Sequence, residues 1–162
     1  MNSMFSKCYN LASINLNFNT SKVSQMHNLF EDCISLSYVN LSYFKIEKVN
    51  VLDNLFYNCR NLISIDLPEI KNVISTVNMF NGCSNLASIN LSQFNPLRLK
   101  NFDKMFLNCN NLLYLDISSF NINNNNQKIL DGINKSAIIL VNQKSYSFLN
   151  STDEYPNLIY QK

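Results

Sequence analysis

One stretch of seventeen residues, Met79 to Asn95, recurs five times with small edits, and that recurrence constrains the fold more than any single motif. An apolar residue paired with Phe opens each copy, at Met4-Phe5, Leu29-Phe30, Leu55-Phe56, Met79-Phe80 and Met105-Phe106. A cysteine follows three residues after each Phe, at Cys8, Cys33, Cys59, Cys83 and Cys109, so successive cysteines are 25, 26, 24 and 26 residues apart. Self-similarity at this period marks a solenoid, in which each coil buries its apolar side against its neighbours and no central core is needed.

Within a copy, the segment Leu-x-x-Ile-x-Leu reads as a strand, because its last two apolar residues keep the period of two that places them on one face. The inward sets are Leu11, Ile14, Leu16; Leu36, Val39, Leu41; Leu62, Ile65, Leu67; Leu86, Ile89, Leu91; and Leu112, Leu115, Ile117. A further inward residue follows each strand, at Phe18, Phe44, Ile70, Phe94 and Phe120. The period then changes to three, as in Val23, Met26, Leu29 or Val49, Leu52, Leu55, which predicts a single helical or 3-10 turn on the back of each coil. The expected fold is an α/β-type solenoid, a right-handed coil like that of leucine-rich repeats, with a parallel sheet on one face and short helical or 3-10 turns on the other.

Copy five leaves this plan after Phe120, where Asn123 and Asn126 occupy places that call for Val and Met, and a surface loop is expected. If Ile129-Leu130 opens a sixth copy, the offsets predict inward residues at Ile133, Ser136, Ile139 and Val141. Residues 1–142 therefore read as five to six repeats. Residues 143–162 lose the period and read as a C-terminal cap in which Tyr146, Phe148 and Leu149 cover the last coil and Leu158 to Tyr160 form a strand. At the other end the strand Leu11 to Asn17 would leave an open edge, for which pairing of two N-terminal coils in a homodimer is one solution.

Two Gly and three Pro are few for a chain that turns this often, and thirty Asn fill the gap, since Asn tolerates left-handed backbone and bonds to its own turn. The Asn that precedes the strand, at Asn10, Asn61, Asn85 and Asn111 with Ser35 as the exception, is expected to be buried and to cap the bend. One cysteine per coil is unlike the paired spacing of zinc sites, and a column of small buried thiols is expected. A net charge of +2 gives no strong nucleic-acid footprint, and no apolar run is long enough to span a bilayer. The residues from Met1 to Asn10 lack the charged head and apolar centre of a signal peptide. The one histidine, His27, has no nucleophile placed for it by sequence, so no catalytic residue, cofactor or metal site is assigned.

The unit MFxxCxxLxxIxLSxFN, followed by Val-x-x-Met-x-x-Met-Phe, resembles the BspA-type leucine-rich repeat in its mycoplasma surface-lipoprotein variant, over roughly residues 4 to 142. The segment from Ile139 to Ser151 resembles the closing unit of such arrays. The resemblance implies a cell-surface or secreted protein, adhesin-like and without enzyme activity, that binds host surface or matrix proteins. The absence of a signal peptide keeps a cytoplasmic location, and an intracellular assembly scaffold that self-associates, as the alternative.

On this plan the outward strand positions form two columns: Asn15, Asn40, Asp66, Asn90, Asp116 and Ser13, Tyr38, Ser64, Ser88, Tyr114. Rigid, regularly spaced surfaces of this kind are what repeat proteins present to partners. Tyr38, Asn40, Asp66, Asn90, Tyr114 and Asp116 are the candidate partner-binding residues, the tyrosines foremost because tyrosine anchors interfaces at low entropic cost. A basic column at Lys22, Lys48 and Arg98 reads as a solvated ridge.

Overall fold

The computed structural model describes residues 1–17, 19–94, 98–122, 127–150 and 155–160, with the backbone alone at 127 and 128. Phe18, Asn123 and Asn126 lie outside the described residues. The chain is a parallel-strand β-solenoid with little helix. Strands β1 (Tyr38–Asn40) and β2 (Ser64–Asp66) pair in parallel, with Val39 opposite Ile65. Strands β3 (Ser88–Asn90), β4 (Tyr114–Asp116), β5 (Ile138–Val141) and β6 (Leu158–Tyr160) form a second parallel sheet in chain order. Helix among the described residues includes a 3-10 segment, Gln127–Leu130, and α1, Gln143–Leu149.

The back of the coil departs from the helical turns expected there. The period of three is present, but it comes from successive tight turns separated by left-handed residues. One left-handed residue stands before each apolar-Phe pair, at Ser3, Asn28, Asn54, Asn78 and Lys104, with φ of 53°, 57°, 54°, 54° and 58°. A second stands before each cysteine, at Lys7, Asp32, Asn58, Gly82 and Asn108. A left-handed residue every fourth position stops a turn from propagating as helix, and Asn accepts that conformation at little cost.

The alternation also divides the backbone donors. Leu52, Asn54, Phe56 and Asn58 donate to the carbonyls of Ser75, Val77, Met79 and Asn81 in the next coil, at 2.9, 2.9, 2.9 and 2.7 Å. The intervening Leu55, Tyr57 and Cys59 close turns on Leu52, Asn54 and Phe56. These seven N–H groups are thereby satisfied, four along the solenoid axis and three locally.

Phe5, Phe30, Phe56, Phe80 and Phe106 stack in one column with centroids 5.4 to 5.7 Å apart and planes within 11° of parallel. Leu36, Leu62, Leu86 and Leu112 are fully buried beside them, as are Val39 and Leu115, while Ile89 is nearly so. This is the continuous apolar seam that a solenoid substitutes for a globular core.

Three local expectations fail. Leu11 to Asn17 is not a strand: Leu11, Ile14 and Leu16 stay half-buried, and among the described residues the inter-coil hydrogen bonds to this segment come from Ser37, through its N–H and hydroxyl to Ala12 O. Both fall on one carbonyl, so no second bond in register completes a ladder. Ser136 is exposed, whereas Ile133, Ile139 and Val141 are buried as the offsets required. Asn10, Asn61, Asn85 and Asn111 are exposed, not buried. The last three form a side-chain ladder, Asn85 Nδ2 to Asn61 Oδ1 and Asn111 Nδ2 to Asn85 Oδ1, each 3.3 Å.

After β5, Asn142 caps α1 by accepting from Ser145 N at 2.9 Å. Ser145, fully buried, donates through Oγ to Phe120 O and accepts from Ile122 N, which pins the helix to coil five.

Candidate functional site

The sheet front collects the candidate residues, but in two groups, because no ladder joins β2 to β3. In the first, Tyr38 lies beside Ser64 and Asn40 beside Asp66. In the second, Tyr114 lies between Ser88 and Ile138, and Asp116 between Asn90 and Leu140. The break coincides with Pro68, and clefts of about 180 and 90 Å³ lie on either side of it.

Pro68 also explains why Asp66 differs from the other members of its column. Asn40, Asn90 and Asp116 each accept the N–H of the serine two residues on, Ser42, Ser92 and Ser118, at 2.9, 2.8 and 3.0 Å. These local turns tie down the side chain. Proline offers no N–H at residue 68. The Asp66 carboxylate is instead exposed and accepts the Tyr38 hydroxyl across the two strands at 2.5 Å. That bond, with smaller contributions from burial and from the carboxylate charge, pushes the Tyr38 phenol above its ordinary value.

The six candidates thus differ in accessibility. Asp66 and Asn90 are exposed, Tyr38 is 43% exposed, and Asn40 and Tyr114 are half-buried. Asp116 is only 4% exposed, with its carboxylate held by the Ser118 N–H and hydroxyl. Flanked by a ladder on both sides, it anchors the turn after β4.

Sequence reasoning missed the apolar part of this face. Ile63 and Leu113, each 55% exposed, precede β2 and β4, and Ile138 and Ile159 are 41% and 48% exposed on β5 and β6. The first two stand where other copies carry Ala12, Ser37 and Ala87, a column treated as spacer. Large aliphatics in two of its five places were the available signal.

The thiols are structural. Cys33, Cys59, Cys83 and Cys109 are fully buried, and each Sγ donates to the carbonyl of the preceding coil's Phe, at 3.0 to 3.1 Å. Burial pushes Cys33 up to about 11 and Cys109 up to about 12, and Cys59 and Cys83 well above the usual thiol range. Cys8 is exposed. Among the described residues, no three His, Cys, Asp or Glu side chains come together as a metal site, and no helix is long and apolar enough to cross a membrane. Lys22, Lys48 and Arg98 are exposed, and Arg98 donates to Asn72 Oδ1 at 3.3 Å.

The coils that build this face fall largely within residues matched by a family model. The family model described as Mycoplasma protein of unknown function, DUF285, matches residues 1–86 and again residues 64–140. The chain belongs to this family. The two matches overlap by about one coil, as expected when one model spans several repeats of a longer array. No curated protein and no solved structure matches this DUF285 chain.

Proposed function

We propose that this chain is a non-enzymatic protein-binding module of the BspA-like leucine-rich type, displayed at a cell surface as an adhesin-like unit whose partner is a host surface or matrix protein. The observation that carries the reading is the front face itself. It presents exposed Ile63, Leu113, Ile138 and Ile159 and the Tyr38 ring together with the polar Asp66 and Asn90, on or directly before strands held by backbone ladders. Exposed apolar side chains rimmed by polar groups suit a partner surface, and aromatic anchors concentrate the binding energy. A rigid sheet loses little freedom on binding.

The test is capture of immobilised matrix and host-surface proteins by the full chain and by an I63D/L113D double variant. Specific capture by the parent that falls at least about tenfold in the variant supports the reading, since two buried anchors are each worth more than about 1 kcal/mol. Equal capture by both chains, or capture confined to intracellular proteins of the source cell, removes it. An assembly scaffold is the second reading, and what favours it is the incompletely covered first coil, where Met4 is 57% exposed.

A further inference from the structure

We propose that the side of the solenoid running along Lys22, Lys48 and Arg98 is a binding site for a linear acidic polysaccharide, a chain of sugar units that carries sulfate or carboxylate groups at intervals. The site lies apart from the front face, so it stands or falls independently of the protein-binding reading.

The small net charge of the chain hides a segregation. The loops that follow the strand positions, residues 19–25, 45–50, 68–74 and 98–101, hold six of the thirteen Lys and Arg but only two of the eleven Asp and Glu, so the rest of the chain carries more acid than base. Lys22, Lys45, Lys48, Lys71, Arg98 and Lys100 are all exposed. Lys71 pairs with Glu69 at 2.9 Å, and among the described residues that is the one ion pair, so the other five cations have no carboxylate against them there.

Backbone bonds set these loops in register. Ile74 donates to Asn50 O at 2.8 Å and Lys100 to Ile74 O at 2.9 Å, and parallel bridges join Val51, Ser75 and Asn101. Lys48, Asn72 and Arg98, each one residue before the buried or half-buried Val49, Val73 and Leu99, therefore form one column, which Lys22 before Val23 extends by the repeat. Asn72 braces the column, donating to Glu47 O at 2.9 Å and accepting from Arg98 Nη1 at 3.3 Å. Hydrogen-bonded neighbours of this kind stand about 4.8 Å apart, so the cations repeat along a straight line at that step or twice it. Like charges held at fixed short separations repel, and an anionic chain laid along the line turns that repulsion into attraction and releases counterions.

The clefts beside the column decide the class of anion. One of about 420 Å³ lies between the first and second coils, walled by Asn15, Asn17, Asn19, Tyr43 and Lys45. A second of about 180 Å³ continues from it past the shared, buried Phe44 and is walled by Ser42, Glu47 and Lys71. Amide and hydroxyl walls match sugar hydroxyls, which both donate and accept. The Tyr43 ring, 84% exposed, offers a flat face to a sugar ring. A single-stranded nucleic acid would need a row of rings on which successive bases stack, and Tyr43 is the one exposed ring in these walls. An extended peptide would need a free strand edge, whereas these loop backbones are bonded coil to coil.

The test measures anisotropy of two labelled probes, heparin oligosaccharides for sulfate and polygalacturonate oligosaccharides for carboxylate, with the full chain at several salt concentrations. At least one probe should bind, with an affinity that falls as salt rises, and the probe that binds tighter identifies the anionic group. K22A/K48A/R98A should weaken binding by more than about tenfold and flatten the salt dependence. K22A/K48A, which keeps the bond between Arg98 and Asn72, should move the same way, so a folding defect at Arg98 does not decide the result. R60A/K135A/K144A, which removes as much exposed charge elsewhere, should bind like the parent, as should L113D on the front face. Y43A should weaken binding without changing the salt slope. Failure of both probes to bind at low salt overturns the proposal, as does an equal loss in the two triple variants, which would mean bulk charge alone. A loss in L113D as large as that in K22A/K48A would put the ligand on the front face, and DNA oligonucleotides of equal charge binding as tightly would mean a site without sugar recognition; either result overturns it as well.

Discussion

The Tyr38 hydroxyl donates to Asp66 Oδ2 at 2.5 Å, bridging two coils through side chains that each stand on the open front of the sheet. The bond raises the pKa of Tyr38 because the carboxylate holds the phenol proton. The linkage has a definite sign. A folded-state pKa above the unfolded one gives stability that is present below the unfolded value, about 10 for tyrosine, and is lost as pH rises through the folded value. D66N should lower the Tyr38 pKa, read as phenolate absorbance by difference against a Y38F chain. P68S should do the same by a different route, because a serine N–H would recapture Asp66 as Ser92 captures Asn90. An unchanged Tyr38 titration in both variants would refute the coupling.

The buried thiols make a larger alkaline effect. Cys33 and Cys109 are pushed up to about 11 and about 12, chiefly by burial, and Cys59 and Cys83 are raised as well. These thiols ionise near pH 9 only once unfolded, so the unfolded state gains stability as pH rises past that point. Folding stability should fall above about pH 9, by up to about 1.4 kcal/mol per pH unit for each thiol. Urea midpoints at about pH 8 and about pH 10, in the parent and in C83A, measure it; a midpoint that does not move with pH contradicts the buried-donor arrangement.

Much of this was legible in the sequence because solenoid positions are repeated measurements of one environment. Five cysteines in one register announced a column that is buried at Cys33, Cys59, Cys83 and Cys109, though not at Cys8, and the period of two at Val39-Leu41 or Ile89-Leu91 announced the sheet. The back of the coil was misread because periods of three arise equally from a 3-10 turn and from tight turns interrupted by left-handed residues. The distinguishing signal, Asn at 28, 54 and 78 before three of the five apolar-Phe pairs, is conformational and carries no hydrophobic signature. Asp116 was misjudged because alternation reports which way a side chain leaves the strand, whereas its burial depends on Ser118 and on a further strand, β5, beside it. The role of Asp66 turned on Pro68, two residues away, whose missing N–H no column of side chains displays.

The two glycines should respond to substitution to different degrees. Gly82 has φ of 81° at the place where Asp32, Asn58 and Asn108 are also left-handed, and an added Cβ would lie 3.2 Å from the nearest atom, Asn58 Cα. G82N should therefore change stability by less than about 1 kcal/mol, since Asn pays little there and the unfolded chain loses freedom. At Gly132 an added Cβ would meet Leu107 Cδ1 at 2.8 Å, Leu107 Cα at 2.9 Å and Asn108 N at 3.0 Å, two of them backbone atoms that cannot swing aside. G132A should cost more than about 2 kcal/mol, from φ strain together with overpacking. Thermal midpoints of the two variants give the comparison, and equal losses would count against the difference in local space.

Position along the ring column should set the cost of losing a ring. Phe80 is fully buried between Phe56 and Phe106, each 5.7 Å away, and its carbonyl also accepts the Cys109 thiol. F80A should cost about 3 to 5 kcal/mol, as other buried Phe truncations do. Phe5 is half-buried with one ring neighbour at 5.4 Å, so F5A removes less covered surface and should cost about half as much or less. The losses should also spread differently, because coupling in a solenoid runs between adjacent coils. F80A opens a cavity between two thiol-bearing coils and should speed labelling of both Cys83 and Cys109, whereas F5A should expose Cys33 alone. Urea denaturation supplies the energies and peptide mapping of labelled thiols the reach; equal costs at the two positions would mean that the column does not transmit stability between coils.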